Sequence, residues 1–237
     1  MNTPAKINVD GKIHRVINSC WPPIGLFDDL CDDEQELRVL FNLEMLTNAR
    51  LMPAVSRLAH IPDGDILTGS TAHQAMAAFV HCHDQGGRFN DDRLGAWYGA
   101  LSVQTAIKET CYHLTRRLAQ SADGFPQTMQ MRQLVTTTST QVFDISNKQS
   151  QYPELYQPND YSQSQAWANN IRWPFSNQAI EGVQYSSVRH QGGTNICLFK
   201  PDAINRPITQ GKHYQYDWNA KGELFISELN ILKQPYD

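Results

Sequence analysis

Residues 96 to 118 constrain the fold more than any other stretch of the chain. Ala96-Trp97-Tyr98-Gly99-Ala100-Leu101 reads as a short strand, and Ser102 directly after it is a residue type whose hydroxyl caps a helix N-terminus. Beyond it, Val103, Ala106, Ile107, Cys111, Leu114 and Leu118 recur at spacings of three and four, which makes them one apolar stripe of a helix. Thr105, Glu109, His113 and Arg116 fall off that stripe, with Glu109 one turn from Thr105 and from His113. The pattern predicts a strand feeding a capped helix whose polar face carries a carboxylate.

Around this unit the expected elements are mixed. Apolar residues Leu37, Leu40, Phe41, Met45, Leu46 and Leu51 predict a helical segment from Asp32 to about Leu58, ended or bent by Pro53. An alanine-rich, charge-poor stretch from about Ser70 to His81 predicts a second, buried helix. Leu134 to Ile145, dense in valine and threonine, reads as a strand, and Ser146 to Asp160 as a loop. A helix is expected from Ser162 to about Trp173. Strands follow at Gly182–Ser186 and, after the Gly192-Gly193 turn, at Asn195–Phe199. His213–Trp218 and Glu223–Ile226 flank Asn219-Ala-Lys-Gly222, a hairpin signal. Without a regular βαβ alternation, an α+β domain is expected over a doubly wound one.

Composition narrows the function classes. The 237 residues are 41% hydrophobic and 19% charged, enough for one substantial core with or without an insertion. A net charge of -4 argues against a nucleic-acid-binding face. A mean hydropathy of -0.49, with no apolar run of about 18 residues, argues against a membrane-spanning helix. Five scattered cysteines and a polar start without a signal-peptide pattern predict reduced thiols in a cytoplasm. His81-Cys82-His83-Asp84 has metal-friendly chemistry but lacks a second ligand pair, so no metal site is expected.

Neither a dinucleotide fingerprint, nor a phosphate-binding glycine loop with Lys-Ser/Thr, nor a Gly-x-Ser-x-Gly elbow occurs, which leaves hydride and acyl transfer poorly supported. The distinctive pieces are Gly86-Gly87-Arg88-Phe89-Asn90, Trp97-Tyr98, Thr105-Ala-Ile-Lys-Glu109-Thr-Cys-Tyr-His113, and Gly182-Val-Gln-Tyr-Ser-Ser187-Val-Arg-His190-Gln-Gly192-Gly193. In that order, and from His14-Arg15-Val16 to about Phe199, the chain resembles the RES domain, a bacterial family named for its arginine, glutamate and serine.

The resemblance implies a toxin of a toxin–antitoxin pair that depletes NAD by hydrolysis or phosphorolysis. The implied fold is a single α+β domain over 1–237, similar to ADP-ribosyltransferase toxins, with a mixed or antiparallel sheet. About seventy residues separate Arg15 from Arg88, and a helical insertion at about 28–82 accounts for them. Carried over residue by residue, Arg15, Arg88 and Tyr98 match substrate-binding positions, and Glu109, Arg88 and Ser187 match catalytic ones. NAD is implied as substrate, with no permanently bound cofactor. The implied partner is a helix-turn-helix antitoxin on a separate chain, and self-association stays open.

Elementary chemistry agrees with that set. A guanidinium fork matches the oxygens of a pyrophosphate bidentately. Cleaving the nicotinamide–ribose bond builds positive charge on the sugar, which a fixed carboxylate such as Glu109 stabilises, or it activates the incoming nucleophile. Tyr98 can stack on nicotinamide or bond a ribose hydroxyl, and Ser187 can position a ribose or phosphate oxygen. Taken singly, each residue also has an ordinary structural role: a surface ion pair for the arginines and Glu109, packing for Tyr98, a local turn bond for Ser187. Two other functions are compatible with the same residues: transfer of ADP-ribose to a protein or small molecule, and non-enzymatic nucleotide binding.

Overall fold

The computed structural model describes residues 3–20, 33–36, 38–39 and 52–230. Its longest strands lie at the edges of what sequence patterning reaches. β1 spans Ala5–Asn18, a stretch in which the sequence suggests no element, yet Val9, Ile13 and Val16 are buried along it. It pairs antiparallel with β3, Gln127–Asp144, through an unbroken register from Ala5↔Asp144 to Asn18↔Met131. The expected strand at 134–145 is thus the second half of a longer one. Its first half carries alternating exposed residues that a hydrophobicity pattern does not mark.

The remaining strands among the described residues are β2, Trp97–Ala100; β4, Gly182–Ser186; β5, Thr194–Leu198; β6, Thr209–Trp218; and β7, Leu224–Leu229. The seven form one sheet in the order β1-β2-β5-β4-β3-β6-β7. Because β1 also pairs with β3, the first five close into a ring, and β6 and β7 extend from β3 as an arm. Two joints of the ring are narrow. β1 meets β2 only at His14↔Ala100, and β3 runs parallel to β4 over two residue pairs. The β6–β7 hairpin turns at the expected place, with Gly222 at φ +78 and its N–H bonded to the Asn219 carbonyl.

Among the described residues, four α-helices with defined bounds flank the sheet, besides the helical residues 34–36 and 38–39. α1 is Met52–Leu58, α2 Ala72–Val80, α3 Val103–Ala119 and α4 Ser162–Asn169. Most of the segment expected to be helical from Asp32 lies outside the described residues. Pro53 is the second described residue of α1, and the residues before Met52 lie outside the described ones. α4 stops at Asn169, short of the expected Trp173, and the loop before it contains a 3-10 turn at Pro153–Tyr156.

The period of two along each strand divides the core. On β5, Ile196 and Leu198 face a cluster with Ile13, Trp97, Leu134 and the apolar residues of α1 and α2. Cys197, and Phe199 just past the strand, face the other way, toward Phe89, Phe143, Tyr185 and Ile171. A third cluster lies under α3. All six predicted stripe residues meet Val16, Met131, Tyr214, Tyr216 and Trp218 there. Thr110 and Thr115 pin the helix by hydrogen bonds to the Tyr216 hydroxyl at 2.9 Å and the Trp218 indole at 2.8 Å. The result is one α+β domain with a mixed sheet, and α3 lies across the mouth of the ring beside β1 and β2. Among the described residues, no helix is long and apolar enough to cross a membrane.

Candidate active site

α3 begins as its sequence dictates. The Ser102 hydroxyl accepts the Thr105 N–H at 3.2 Å and lies 2.8 Å from the Thr105 hydroxyl. Thr105 Oγ1 lies in turn 2.9 Å from His190 Nδ1, which ties the first turn of the helix to the turn between β4 and β5. That turn demands glycine at its end. A Cβ on Gly193 would lie 2.7 Å from Thr105 Oγ1 and 2.9 Å from His190 Nδ1. Helix and turn are locked together at the position from which Glu109 reaches out one turn later.

Glu109 Oε1 receives two hydrogen bonds, each 2.6 Å long. One comes from the Ser187 hydroxyl and the other from the Asn195 amide. Ser187 Oγ also accepts the backbone N–H groups of Arg189 at 3.0 Å and His190 at 2.9 Å. A hydroxyl has one proton and two lone pairs, so Ser187 is fully used. The second carboxylate oxygen, Oε2, faces His113 Nε2 at 3.9 Å. Burial pulls the His113 imidazole below its ordinary pKa despite the nearby carboxylate; Arg189, Arg88 and Arg116 pull the same way.

Arg15, Arg88, Tyr98 and Glu109 line one cavity of about 1530 Å³, together with His113 and Asn195. Ser187 reaches it through Glu109. Arg15 projects from β1, where its Nη1 donates to the Tyr98 carbonyl at 3.1 Å and its guanidinium lies 4.9 Å from the Trp97 ring centroid. Burial lowers its pKa to about 10, which leaves it charged at neutral pH. Arg88 is buried. Its Nη1 donates to the carbonyls of Leu155 at 2.9 Å and Gln157 at 2.8 Å, and its plane lies 4.7 Å from the Tyr161 ring centroid. Arg116, Arg117 and Arg132 also line the cavity, against Glu109 and Asp160, so its described wall is cationic in a chain of net charge -4.

The Tyr98 hydroxyl is committed to the Arg88 loop. It accepts the Phe89 N–H at 2.8 Å and donates to Asn90 Oδ1 at 2.8 Å, and Asn90 in turn holds the Gly87 N–H. Gly87 must be glycine, because a Cβ there would lie 2.7 Å from the Tyr98 hydroxyl. Burial keeps that phenol protonated, well above its ordinary pKa. A second arginine fixes the same strap as Arg88. Arg189 donates to the Pro158 carbonyl, with its guanidinium 3.4 Å from the Tyr112 ring centroid.

The structure therefore brings all five sequence-derived residues to one place. It adds Asn195, which sequence reading used only as the start of a strand. A signal for it exists: Asn195 is in phase with Cys197 and Phe199 on the inward face of β5, and is 2% exposed. A buried amide among apolar positions needs a partner. His81, Cys82, His83 and Asp84 do not form a ligand cluster; no group of three or more such side chains placed to hold a metal occurs among the described residues.

A search of curated proteins finds no match. Among solved structures, the chain is similar to one in the crystal structure of the M. tuberculosis MbcT-MbcA toxin-antitoxin complex. The two are 12% identical, with a TM-score of 0.43, over 88% of this chain and 85% of that one. The family model described as RES domain matches residues 65–219, which include Arg88, Tyr98, Glu109, Ser187 and Asn195 but not Arg15. That match spans well over half of the chain, and the chain belongs to the RES domain family.

Proposed function

We propose that this chain cleaves the nicotinamide–ribose bond of NAD and acts as the toxin of a toxin–antitoxin pair. The observation that carries the reading is the Glu109 carboxylate on the wall of a cationic cavity: one oxygen is held by two donors and the other lies 3.9 Å from His113 Nε2. That is the arrangement a glycosidic cleavage requires, since positive charge grows on the sugar while the rest of the substrate is anionic.

In this mechanism the guanidinium groups of Arg15 and Arg88 take the pyrophosphate. Each spends Nη1 on backbone carbonyls and has further donors for phosphate oxygens. The C–N bond breaks with its electron pair passing to nicotinamide, which leaves neutral. Positive charge appears on the ribose beside Glu109 Oε2. Water or phosphate then adds to the anomeric carbon, and Glu109 accepts its proton in the hydrolytic case. Ser187, with its hydroxyl saturated, orients Glu109 and does not itself bind substrate. Tyr98 holds the Arg88 loop with its hydroxyl and offers its ring to the cavity. No permanently bound cofactor is part of the reaction. The chain would act in the cytoplasm, and its antitoxin would be a separate helix-turn-helix protein.

Incubating the purified chain with NAD, with and without phosphate, and measuring nicotinamide release tests this directly. The wild type should release nicotinamide, and Glu109→Ala should not while unfolding at the same temperature. Phosphate dependence separates phosphorolysis from hydrolysis. Label from NAD found on a protein or small-molecule acceptor would move the reading to ADP-ribose transfer, and an inert wild type would end it.

A further inference from the structure

Glu109 Oε1 accepts from two side chains, and only one of them belongs to the serine motif that the family resemblance supplies. Asn195 is the other. It stands at the second position of β5, paired across the sheet with Tyr185 on β4 and with Ala100 on β2. Ser187 lies just beyond the end of β4, with its backbone N–H on the Gly193 carbonyl at 2.8 Å. The β4–β5 connection thus delivers both donors to the same oxygen from opposite arms. Two donors on a single oxygen restrict rotation of the carboxylate about its terminal bond, which a lone bond from Ser187 would leave freer. The amide can satisfy the geometry in one orientation only, because its carbonyl turned toward Oε1 would place two acceptors against each other.

We propose that Asn195 is a positioning residue for the reaction: it fixes the plane of the Glu109 carboxylate so that Oε2 meets the developing charge on the ribose. The inference rests on the NAD-cleaving reading above. The low exposure of Asn195 and the 2.6 Å bond give it a defined orientation before substrate arrives, and preorganised polar groups need no reorientation as charge develops. An effect through orientation changes the rate of the chemical step more than substrate affinity, because the phosphates are held elsewhere.

The experiment is steady-state kinetics of NAD consumption by the full chain and its Asn195→Ala and Asn195→Asp variants, each with a thermal unfolding curve and a pH–rate profile. Asn195→Ala should lower kcat about ten- to a hundredfold with KM changed less than about threefold. Asn195→Asp keeps the shape and replaces the donor by a second carboxylate. It should lower kcat at neutral pH and move the acidic edge of the profile to higher pH, because adjacent carboxylates resist ionising together. If the alanine variant does not fold, the near-isosteric aspartate variant decides. Unchanged kcat in whichever variant folds, a loss confined to KM, or an aspartate profile with the wild-type acidic edge overturns the proposal while the NAD reading stands. An inert wild type overturns both.

Discussion

The two sides of the cavity are built on opposite principles. On the Glu109 side, the polar groups are saturated: Ser187 uses its proton and both lone pairs, and Glu109 Oε1 takes two bonds of 2.6 Å. On the arginine side, Arg15 and Arg88 each anchor through Nη1 to backbone carbonyls and rest on aromatic faces. The difference matches the chemistry each side is suited to. A carboxylate that meets a transient charge must be aimed in advance, whereas a guanidinium that meets phosphate needs a fixed base and free donors. It also means that the arginines do structural work, since Arg88 holds the Leu155–Gln157 strap.

The largest expected effect breaks the comparison at its aimed end. Glu109→Gln, nearly isosteric, should lower kcat by at least about a hundredfold with little change in KM, read as nicotinamide release. Ser187→Ala removes one of the two donors to Oε1 and should cost about ten- to a hundredfold in kcat, less than loss of the carboxylate itself. A Ser187→Ala effect confined to KM would show that Ser187 serves substrate binding. On the other side, Arg88→Lys retains charge but loses the fork; KM for NAD should rise about tenfold. Hydrogen exchange in residues 155–157 should quicken in the same variant, and an unchanged rate there would separate the phosphate role from the strap.

Tyr98→Phe sharpens the comparison through stability alone. It leaves the Phe89 N–H without its acceptor and removes one of the two donors to Asn90 Oδ1, so unfolding should become easier by about 1–3 kcal/mol in denaturant titration. The smallest effect concerns acid. Burial holds His14, His81 and His113 below their ordinary pKa, so the folded chain takes up those protons later than the unfolded chain does. Stability should therefore fall as pH drops below about 6.5, where unfolded histidine begins to protonate. His113→Gln, at a half-exposed site, should flatten that fall slightly in a series of melting temperatures between pH 7 and about 5.

Periodicity made α3 readable because burial there is local. A helix lying on the sheet needs apolar residues three and four apart, and Val103 to Leu118 supply them under a Ser102 cap. The β6–β7 hairpin was readable for a similar reason, since Asn219 and Gly222 carry its turn geometry. β1 was missed because its polar residues interrupt the pattern, and its length is set by pairing with β3 across more than a hundred residues of sequence. The extension of β3 was hidden in the same way.

What the sequence determined by itself is the local frame: a strand, a cap, a helix with Glu109 off its apolar stripe, and glycines that break or turn the chain. The tertiary structure alone decided which groups meet Glu109. Its bonds to Ser187 and Asn195 span 78 and 86 positions, and the bond from Arg15 to Tyr98 spans 83. Contacts of that range depend on sheet register, and a register shift of one residue turns every side chain of a strand to the opposite face. Local pattern specifies which residues are buried, while the pairing of β1, β2, β4 and β5 specifies which of them touch.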